Sequence, residues 1–152
     1  MRLELTAAAY DDPVAAALIE AVQREYEVRY GGRDITAVTP AEFSPPHGLF
    51  LVGRLDTEPV VCGGWRLVEP GLGEIKRMYV VDAHRRRGLS RVLLAELEAT
   101  ARAAGLRRLR LETGHAQPEA IRLYETSGYT RIDKFGVYRD HAGSTCFGKA
   151  LD

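Results

Sequence analysis

Two repeating patterns of apolar residues divide the 152-residue chain into elements. Alternation of apolar and polar residues, or a run rich in β-branched side chains, predicts a strand, and apolar residues spaced by three or four predict a helix. The strand pattern occurs in seven segments: Arg2 to Thr6, Leu49 to Leu55, Val60 to Val68, Glu74 to Val81, Leu106 to Thr113, Tyr129 to Lys134 and Thr145 to Leu151.

The helical pattern occurs in three segments whose ends carry proline or glycine. Pro13 opens the first helix, which runs to Tyr26, and a short helix is expected after Thr39. The other two helices run from Gly88 to Gly105 and from Pro118 to Gly128, with proline at the start or glycine at the end. The resulting order predicts one α/β domain over residues 1–152, with a mixed, mostly antiparallel sheet flanked by helices.

Composition places the chain among cytoplasmic globular proteins. No apolar run reaches the roughly 18 residues of a membrane span. Asp11 and Asp12 come too early for a secretion signal. Cys62 and Cys146 lie far apart without a CxxC motif, so we expect two buried free thiols in a reducing compartment.

The net charge is zero, but the charges are unevenly distributed. Residues 1–60 hold 5 Lys/Arg and 10 Asp/Glu, and residues 61–152 hold 16 and 11. Eight arginines lie between His84 and Arg110. Such a patch on a neutral protein favours a phosphorylated small ligand over a nucleic acid, although a solvated arginine-rich face explains it equally well.

One junction has the features of an anion site. A predicted strand ending at Val81 leads into Arg85-Arg86-Arg87-Gly88, and a helix begins directly afterwards. Free amides and the positive end of the helix dipole attract anions there, and a glycine lets a phosphate approach the main chain. The GxxxxGK[ST] phosphate loop is absent, and Gly71-Leu72-Gly73 is a hairpin turn that leads into a strand.

Two motifs give this junction a family resemblance. Arg85-x-x-Gly88-x-Ser90 resembles motif A of the GNAT N-acetyltransferases, [RQ]-x-x-G-x-[GA]. The segment from Gln117 through Ala120 and Tyr124 to Gly128-Tyr129 resembles the family's N-x-x-A-x-x-L-Y-x-x-x-G-F segment. Ser90 stands where Gly or Ala is usual, and Gln117 stands where Asn is usual. The order of elements matches the family over nearly the whole chain.

The resemblance implies that acetyl-CoA lies along the strand of residues 74–81, with no metal involved. The pantetheine arm would contact the main chain around Met78, Tyr79 and Val80, and the pyrophosphate would rest on the turn. The implied cofactor-binding residues are completed by Arg85, Arg86, Arg87, Gly88, Leu89, Ser90, Arg91 and Gln117.

The same resemblance suggests the catalytic groups for direct attack of an amine on the thioester. Tyr124 matches the family tyrosine that donates a proton to the departing thiolate. Glu74 lies eleven residues before Arg85, where some members place a glutamate base, and Glu112 is the second choice. His115 is a further candidate as a proton relay.

The acceptor site is predicted from the segments that surround the acceptor in the resembled family, which are the first helix, the loop after it and the last hairpin. The residues there are Tyr26, Tyr30, Arg33, Asp34, Phe50, Trp65, Phe135, Tyr138 and Arg139. The acceptor candidates are Tyr30, Arg33, Trp65 and Tyr138 from this set, together with His115 after the neighbouring strand. The acidic first 60 residues favour a cationic amine, and Arg33 or Arg139 could bind a carboxylate instead. We expect a small amine, amino-acid-like or drug-like, with a protein amine as an alternative.

Two other classes of function remain open at this stage. A non-catalytic module that senses acyl-CoA would need neither Tyr124 nor Glu74. Nucleic-acid binding is disfavoured by the zero net charge and by the lack of aromatic residues among the arginines. We expect no nucleic-acid or membrane partner, and a homodimer stays open because family members are often dimers.

Overall fold

A computed structural model describes residues 2–152 of the chain. Within these residues the elements follow the order predicted from the sequence. They are β1 (Leu3–Ala7), α1 (Pro13–Tyr30), β2 (Gly48–Leu55), β3 (Glu58–Glu69), β4 (Leu72–Val80), α2 (Leu89–Ala103), β5 (Arg108–Gly114), α3 (Pro118–Thr126), β6 (Thr130–Arg131) and β7 (Ser144–Ala150), with 3-10 turns at Pro40–Phe43 and Asp82–His84.

The strands form one mixed sheet, which confirms the predicted fold class. Their order across the sheet is β1-β2-β3-β4-β5-β7-β6. All neighbours pair in antiparallel fashion except β4 and β5, which are parallel. The crossover between those two strands is α2, as the connection of parallel strands requires.

The first helix is longer than its apolar stripe predicted. The Asp12 carboxylate caps it by accepting hydrogen bonds from the amides of Val14 and Ala15. Gly31 ends it in the left-handed conformation at φ 80°, and its amide donates to the carbonyl of Glu27. The extra turn carries Tyr30 to the edge of the site described below.

The sheet separates two hydrophobic cores. One core packs against α2 and α3 and includes Trp65, Leu97 and Phe147. The other packs against α1 and the 3-10 turn, and includes Phe43 and Phe50. Burial on both faces leaves the sheet as a rigid support for groups at its strand ends.

The sheet opens between β4 and β5. Their pairing covers three residue pairs, from Leu72↔Arg108 to Glu74↔Arg110, although β4 continues to Val80 and β5 to Gly114. A bulge in β4 accompanies this divergence, because Arg77 and Met78 both stand opposite Gly63. Arg77 adopts a positive φ of 63° there. The two strands therefore leave a cleft through the sheet.

Many of the unevenly distributed charges form ion pairs between the acidic first part of the chain and the basic second part. Acidic residues of the first 60 positions pair with basic residues of the later positions: Glu25 with Arg85, Asp34 with Lys76 and Arg77, and Glu42 with Arg66. The uneven charge therefore joins elements of the fold, and it is weaker evidence for a cationic acceptor than the sequence suggested.

Three properties of the described residues bear on the function classes. No helix in residues 2–152 is long and apolar enough to cross a membrane. The same residues contain no cluster of three or more His, Cys, Asp or Glu side chains placed to hold a metal ion. Cys62 and Cys146 are buried free thiols.

Candidate functional site

The turn before α2 presents an uncapped helix N-terminus. Gly88 is the N-cap, so no side chain caps the helix, and no acidic residue lies in its first turn. Gly88 has a φ of 76°, and a Cβ built on it would meet nothing within 4 Å. The exposed main chain and the helix dipole make this turn suitable for a phosphate group.

The arginines of this turn differ in what they contact. Arg85 donates from Nε to the Val80 carbonyl at 2.9 Å and pairs with Glu25 at 2.5 Å, so its side chain holds α1 against the end of β4. Arg91 donates to the hydroxyls of Thr126 and Ser127 at the end of α3. Arg86 and Arg87 are exposed, and they are the cations of the turn that are most accessible to a ligand.

A cavity of about 320 Å³ occupies the cleft between β4 and β5. Its walls come from α1, the following segment, both strands, the start of α3 and the loop before β7. The lining residues are Tyr26, Tyr30, Gly32, Arg33, Asp34, Ile35, Ile75, Lys76, Arg77, Met78, Leu111, Glu112, Thr113, Gly114, His115, Gln117, Ala120, Tyr124, Tyr138, His141, Gly143 and Ser144.

Tyr124 lines the apolar side of the cavity. It is 7% exposed, and its ring packs against Tyr129 and Phe147. Its hydroxyl points toward β4, where it lies 3.8 Å from the Met78 sulfur. Burial raises the pKa of Tyr124 to about 12, so the hydroxyl keeps its proton at neutral pH.

Glu112 lies on β5 and faces the polar side of the cavity. Its Oε2 atom is buried and has no hydrogen-bond partner among residues 2–152. Burial raises the pKa of this carboxyl to about 7. The positive charge of Lys76 partly offsets the increase, and the negative charges of Asp34 and Glu74 add to it. A carboxyl with a pKa near 7, on a side chain that lines a cavity, has the properties of a general base.

A buried ion cluster lies beside Glu112. Asp34 accepts from Lys76 Nζ at 2.7 Å and from Arg77 Nη1 at 2.5 Å, and all three side chains are mostly buried. Burial alone would raise the pKa of Asp34, but these two cations hold it well below its usual range. The cluster fixes the segment after α1 against the bulge of β4.

The rim of the cavity is closed by contacts between distant segments. Tyr30 donates to Gln117 Oε1 at 3.1 Å, and Arg29 donates to the Ala116 carbonyl at 2.6 Å. A Cβ at position 114 would overlap the present position of the Tyr30 ring, so a larger residue there would require Tyr30 to move. On the opposite rim, the Tyr138 hydroxyl accepts from the Ile35 amide at 2.8 Å.

Most of the acceptor residues predicted from the sequence come together at this cavity, but Trp65 does not. Tyr30, His115, Tyr138 and Arg33 all line it. Trp65 is 2% exposed in the core under α2, and its indole donates to Thr100. Its burial leaves no surface for a substrate, so the structure removes Trp65 from the acceptor site.

Arg33 lines the cavity, but its guanidinium is directed elsewhere. It pairs with Glu20 and Glu27 on α1. The carboxylate-binding role considered for Arg33 is therefore not supported by its contacts, and the exposed Arg139 does not line the cavity.

Glu74 also lies away from the cavity lining. It is 5% exposed, and its carboxylate contacts Arg110 at 3.2 Å and Arg66 at 3.9 Å. Both oxygens are thus committed to arginines at the closed end of the cleft, where β4 and β5 are still paired. This position favours Glu112 over Glu74 as the base.

The cofactor residues predicted on β4 occupy the wall of the cleft. Met78 lines the cavity, and the bulge leaves its main chain outside the regular register with β3. Tyr79 faces the core under α1, and the Val80 carbonyl already accepts the hydrogen bond from Arg85. Of these three residues, Met78 is the one placed to meet a ligand in the cleft.

Sequence reasoning named Asp34 among the residues around the acceptor but missed Lys76, and both line the cavity. The signal for Lys76 was available, because charged residues at positions 74, 76 and 77 interrupt a strand that is central in the predicted sheet. Central strands rarely bury charges without a partner or a function. For Asp34, the pairing with Lys76 and Arg77 could not be predicted, since the residue lies in a polar connection far from them in sequence.

The residues present fit an acyl-CoA. The uncapped turn before α2, with open space beside Gly88 and two accessible arginines, matches a pyrophosphate. The cleft lies beyond the last β4–β5 pair, where Met78 has no pairing partner on β5, and it reaches Tyr124 and Glu112. The turn and the cleft lie at successive points along the chain that leaves β4.

Comparison with known proteins supports the same conclusion. The sequence profile of the Acetyltransferase (GNAT) family matches residues 15–129. A protein of Azospirillum brasilense named IAA acetyltransferase is 37% identical over 122 residues, which are 80% of each chain. A Klebsiella pneumoniae structure assigned to the acyl-CoA N-acyltransferases is 35% identical, with a TM-score of 0.84 over 99% of this chain and 98% of that one.

More distant structures share the fold alone. A GNAT family acetyltransferase from Elizabethkingia anophelis, solved with acetyl-CoA bound, has a TM-score of 0.71 at 14% identity over 98% of both chains. The family profile, two relatives above 30% identity and the common architecture all agree. The chain therefore belongs to the GNAT family of acetyltransferases.

Proposed function

We propose that this protein transfers an acetyl group from acetyl-CoA to the amine of a small acceptor. The observation that carries the proposal is the cavity between β4 and β5, which brings Glu112 and Tyr124 to the same space. Acetyl-CoA supplies a thioester, whose carbonyl carbon the amine attacks as the carbon–sulfur bond breaks and CoA leaves as the thiol.

Glu112 takes the proton from the attacking amine. An alkyl amine has a pKa of about 10, so most of it is protonated at pH 7 and a base is needed. The carboxyl of Glu112 has a pKa of about 7 and an oxygen without a partner, which suits this step. Glu74 is the alternative, and its two arginine partners make it the weaker candidate.

Tyr124 assists departure of the sulfur. Its hydroxyl is protonated at neutral pH and directed across the cleft toward Met78 on β4. A donor at that point stabilises negative charge that develops on the leaving group. Neither cysteine competes as a nucleophile, because burial raises the pKa of the Cys62 and Cys146 thiols.

Direct transfer suits a cleft that passes through the sheet. The cavity touches apolar residues of the α2 face, such as Leu111, and charged residues of the α1 face, such as Lys76. Donor and acceptor can therefore approach from opposite faces and meet without a covalent enzyme intermediate. The walls around the acceptor side leave room for a small molecule.

Two measurements on the purified protein test the proposal. Thermal unfolding with and without acetyl-CoA tests binding, because a ligand at 100 times its Kd adds about 2.7 kcal/mol to stability. Release of CoA thiol in the presence of a panel of small amines tests transfer. We expect both a rise in Tm and amine-dependent thiol release.

The outcomes separate the alternatives. A rise in Tm without thiol release for any amine, peptide amines included, would indicate a module that binds acyl-CoA without catalysis. Thiol release with a lysine peptide alone would indicate a protein acceptor. Absence of both signals would contradict the proposal.

A further inference from the structure

The polar side of the cavity carries an excess of positive charge. Lys76 and Arg77 share a single anion, the carboxylate of Asp34. Glu112 faces the same space without an ion-pair partner within 4 Å among residues 2–152, and it is only partly ionised at neutral pH. The remaining charged side chain of the lining, Arg33, is neutralised by Glu20 and Glu27 on α1.

Lys76 is the cation of this group with capacity for another partner. Its side chain is 9% exposed, and Nζ makes one hydrogen bond within residues 2–152, to Asp34. An ammonium group has three hydrogens, and a buried one is stabilised when all three are accepted. Arg77 donates to Asp34 and to the Tyr10 hydroxyl, and its side chain is 2% exposed, so it is less accessible to a ligand than Lys76.

We propose that the acceptor carries a carboxylate as well as its amine, and that Lys76 binds this carboxylate while Glu112 receives the amine. The acceptor class is then a small amino acid. This inference rests on the proposed acetyl transfer. It assigns to Lys76 the role of a specificity-determining residue, distinct from the groups that move protons.

The electrostatics of the cavity favour such a zwitterion over a simple amine. A carboxylate next to Lys76 cancels the uncompensated charge of the cluster, and an ammonium next to Glu112 supplies that carboxylate with a counter-ion. A plain amine leaves Lys76 without a further acceptor. A dicarboxylate without an amine offers nothing for acetylation.

The test compares acceptors that differ only in the carboxylate. L-Phenylalanine, its carboxamide and phenethylamine share one side chain and one amine, and the same comparison is repeated with a smaller amino acid. For each, KM is measured in the acetyl transfer assay, and the Kd is measured by calorimetry on the protein saturated with CoA. We expect the amino acid to be preferred by about tenfold or more, as for a desolvated charge pair.

Three variants connect this preference to Lys76. In Lys76→Met we expect the ratio of KM values between the carboxamide and the amino acid to fall toward one. Asp34 keeps Arg77 as its partner in this variant, so the buried carboxylate stays neutralised. Lys76→Arg keeps the positive charge and should retain most of the preference for the amino acid. Arg108→Met, at an exposed position outside the cavity, serves as the matched loss of a cation and keeps the preference of the wild type.

The possible results separate the two proposals. Equal KM and Kd values for the three compounds, or a preference that survives in Lys76→Met, would overturn the role of Lys76 and leave acetyl transfer intact. Binding of CoA without binding of any amino acid would also overturn the inference. Failure to bind CoA at all would instead contradict the proposed function.

Discussion

The turn before α2 and the cavity between β4 and β5 belong to one site but are built in opposite ways. The turn is a single run, residues 85–91, with Arg86, Arg87 and Gly88 exposed and no acidic residue in the first turn of the helix. The cavity is assembled from segments between residues 26 and 144, and its buried cations Lys76 and Arg77 share the carboxylate of Asp34. The main chain around Gly88 depends on local conformation, with Arg85 and Arg91 linking the turn to α1 and α3, whereas the whole cavity depends on tertiary contacts.

This difference predicts which property a substitution in each part should change. A change in the turn should affect cofactor affinity and leave the fold intact. A change in the cavity should affect stability as well as rate, because its charged groups support one another. Five variants or conditions test this contrast.

The largest effect is expected at Glu112. In Glu112→Gln, kcat/KM should fall by about 10²–10⁴, because a neutral amide cannot take the proton from the amine. The inflection near pH 7 in the rate profile should disappear. The rate should then rise with pH only because the acceptor amine loses its proton. Steady-state rates from pH 5.5 to 9 provide the measurement. Glu74→Gln is the matched variant, and a larger loss there would transfer the role of base to Glu74.

Asp34 should show the dependence of the cavity on paired charges. Asp34→Asn leaves Lys76 and Arg77 buried without an anion, and breaking such a buried pair costs about 3–5 kcal/mol. Urea unfolding at pH 7 measures the loss. Asp140→Asn, at an exposed position, should change the free energy of unfolding by less than about 0.5 kcal/mol. Equal stability of the two variants would refute the structural role of the cluster.

Gly88 should show the independence of the turn. A valine side chain at position 88 would project into the open space beside the uncapped amides and raise the Kd for acetyl-CoA by on the order of a hundredfold. Gly71→Val is the control, because Gly71 also has a positive φ and open space but lies in the β3–β4 hairpin. Calorimetric titration compares them, and equal affinities in both variants would argue against a phosphate at this turn.

Tyr124 is expected to have a smaller effect. Tyr124→Phe keeps the ring contacts with Tyr129 and Phe147 but removes the hydroxyl donor, so kcat should fall on the order of tenfold. The Kd for acetyl-CoA should be close to that of the wild type. Single-turnover acetyl transfer measures the chemical step, and an unchanged rate would leave Tyr124 with a packing role only.

The smallest effect is the pH dependence of stability at Glu112. The pKa of this carboxyl is about 7 in the folded protein and about 4.3 in an unfolded chain, so folding favours its protonated form. Ionisation therefore lowers stability as the pH rises from about 4.3 to about 7. Glu112→Gln should therefore be more stable than the wild type at pH 8, and the difference in the free energy of unfolding should be smaller at pH 5. We expect about 1 kcal/mol at pH 8, which is less than the full pKa shift implies because the carboxyl is partly solvated. Tm values at both pH values check the sign.

The same contrast explains how far the sequence alone could lead. The elements and the turn were predictable, because strand and helix periods, proline and glycine positions, and a contiguous motif are all local signals. The resemblance to the family rested on residues 85–90 and 117–129, and the family profile confirms it.

The cavity was less predictable, because its composition depends on which strand face each residue occupies. Trp65 looked like an acceptor residue, yet its position on β3 directs it into the core under α2. Lys76 and Asp34 are 42 residues apart and meet only through the bulge of β4 and the end of α1. Glu74 and Glu112 were both candidates, and only the divergence of β4 from β5 separates their surroundings.

The hydroxyl of Tyr138 joins the two loops that wall the acceptor side, since it accepts from the Ile35 amide. Neither loop contributes to the turn that precedes α2. Segments 31–38 and 135–143 therefore form one wall of the cavity, which Asp34 also connects to Lys76 and Arg77 of β4. Transplanting both segments from a relative with an aspartate at position 34 should transfer its acceptor preference, while cofactor affinity stays with the recipient. Because that donor is a main-chain amide, the contact tolerates changes of side chain at position 35 and depends on the tyrosine at position 138.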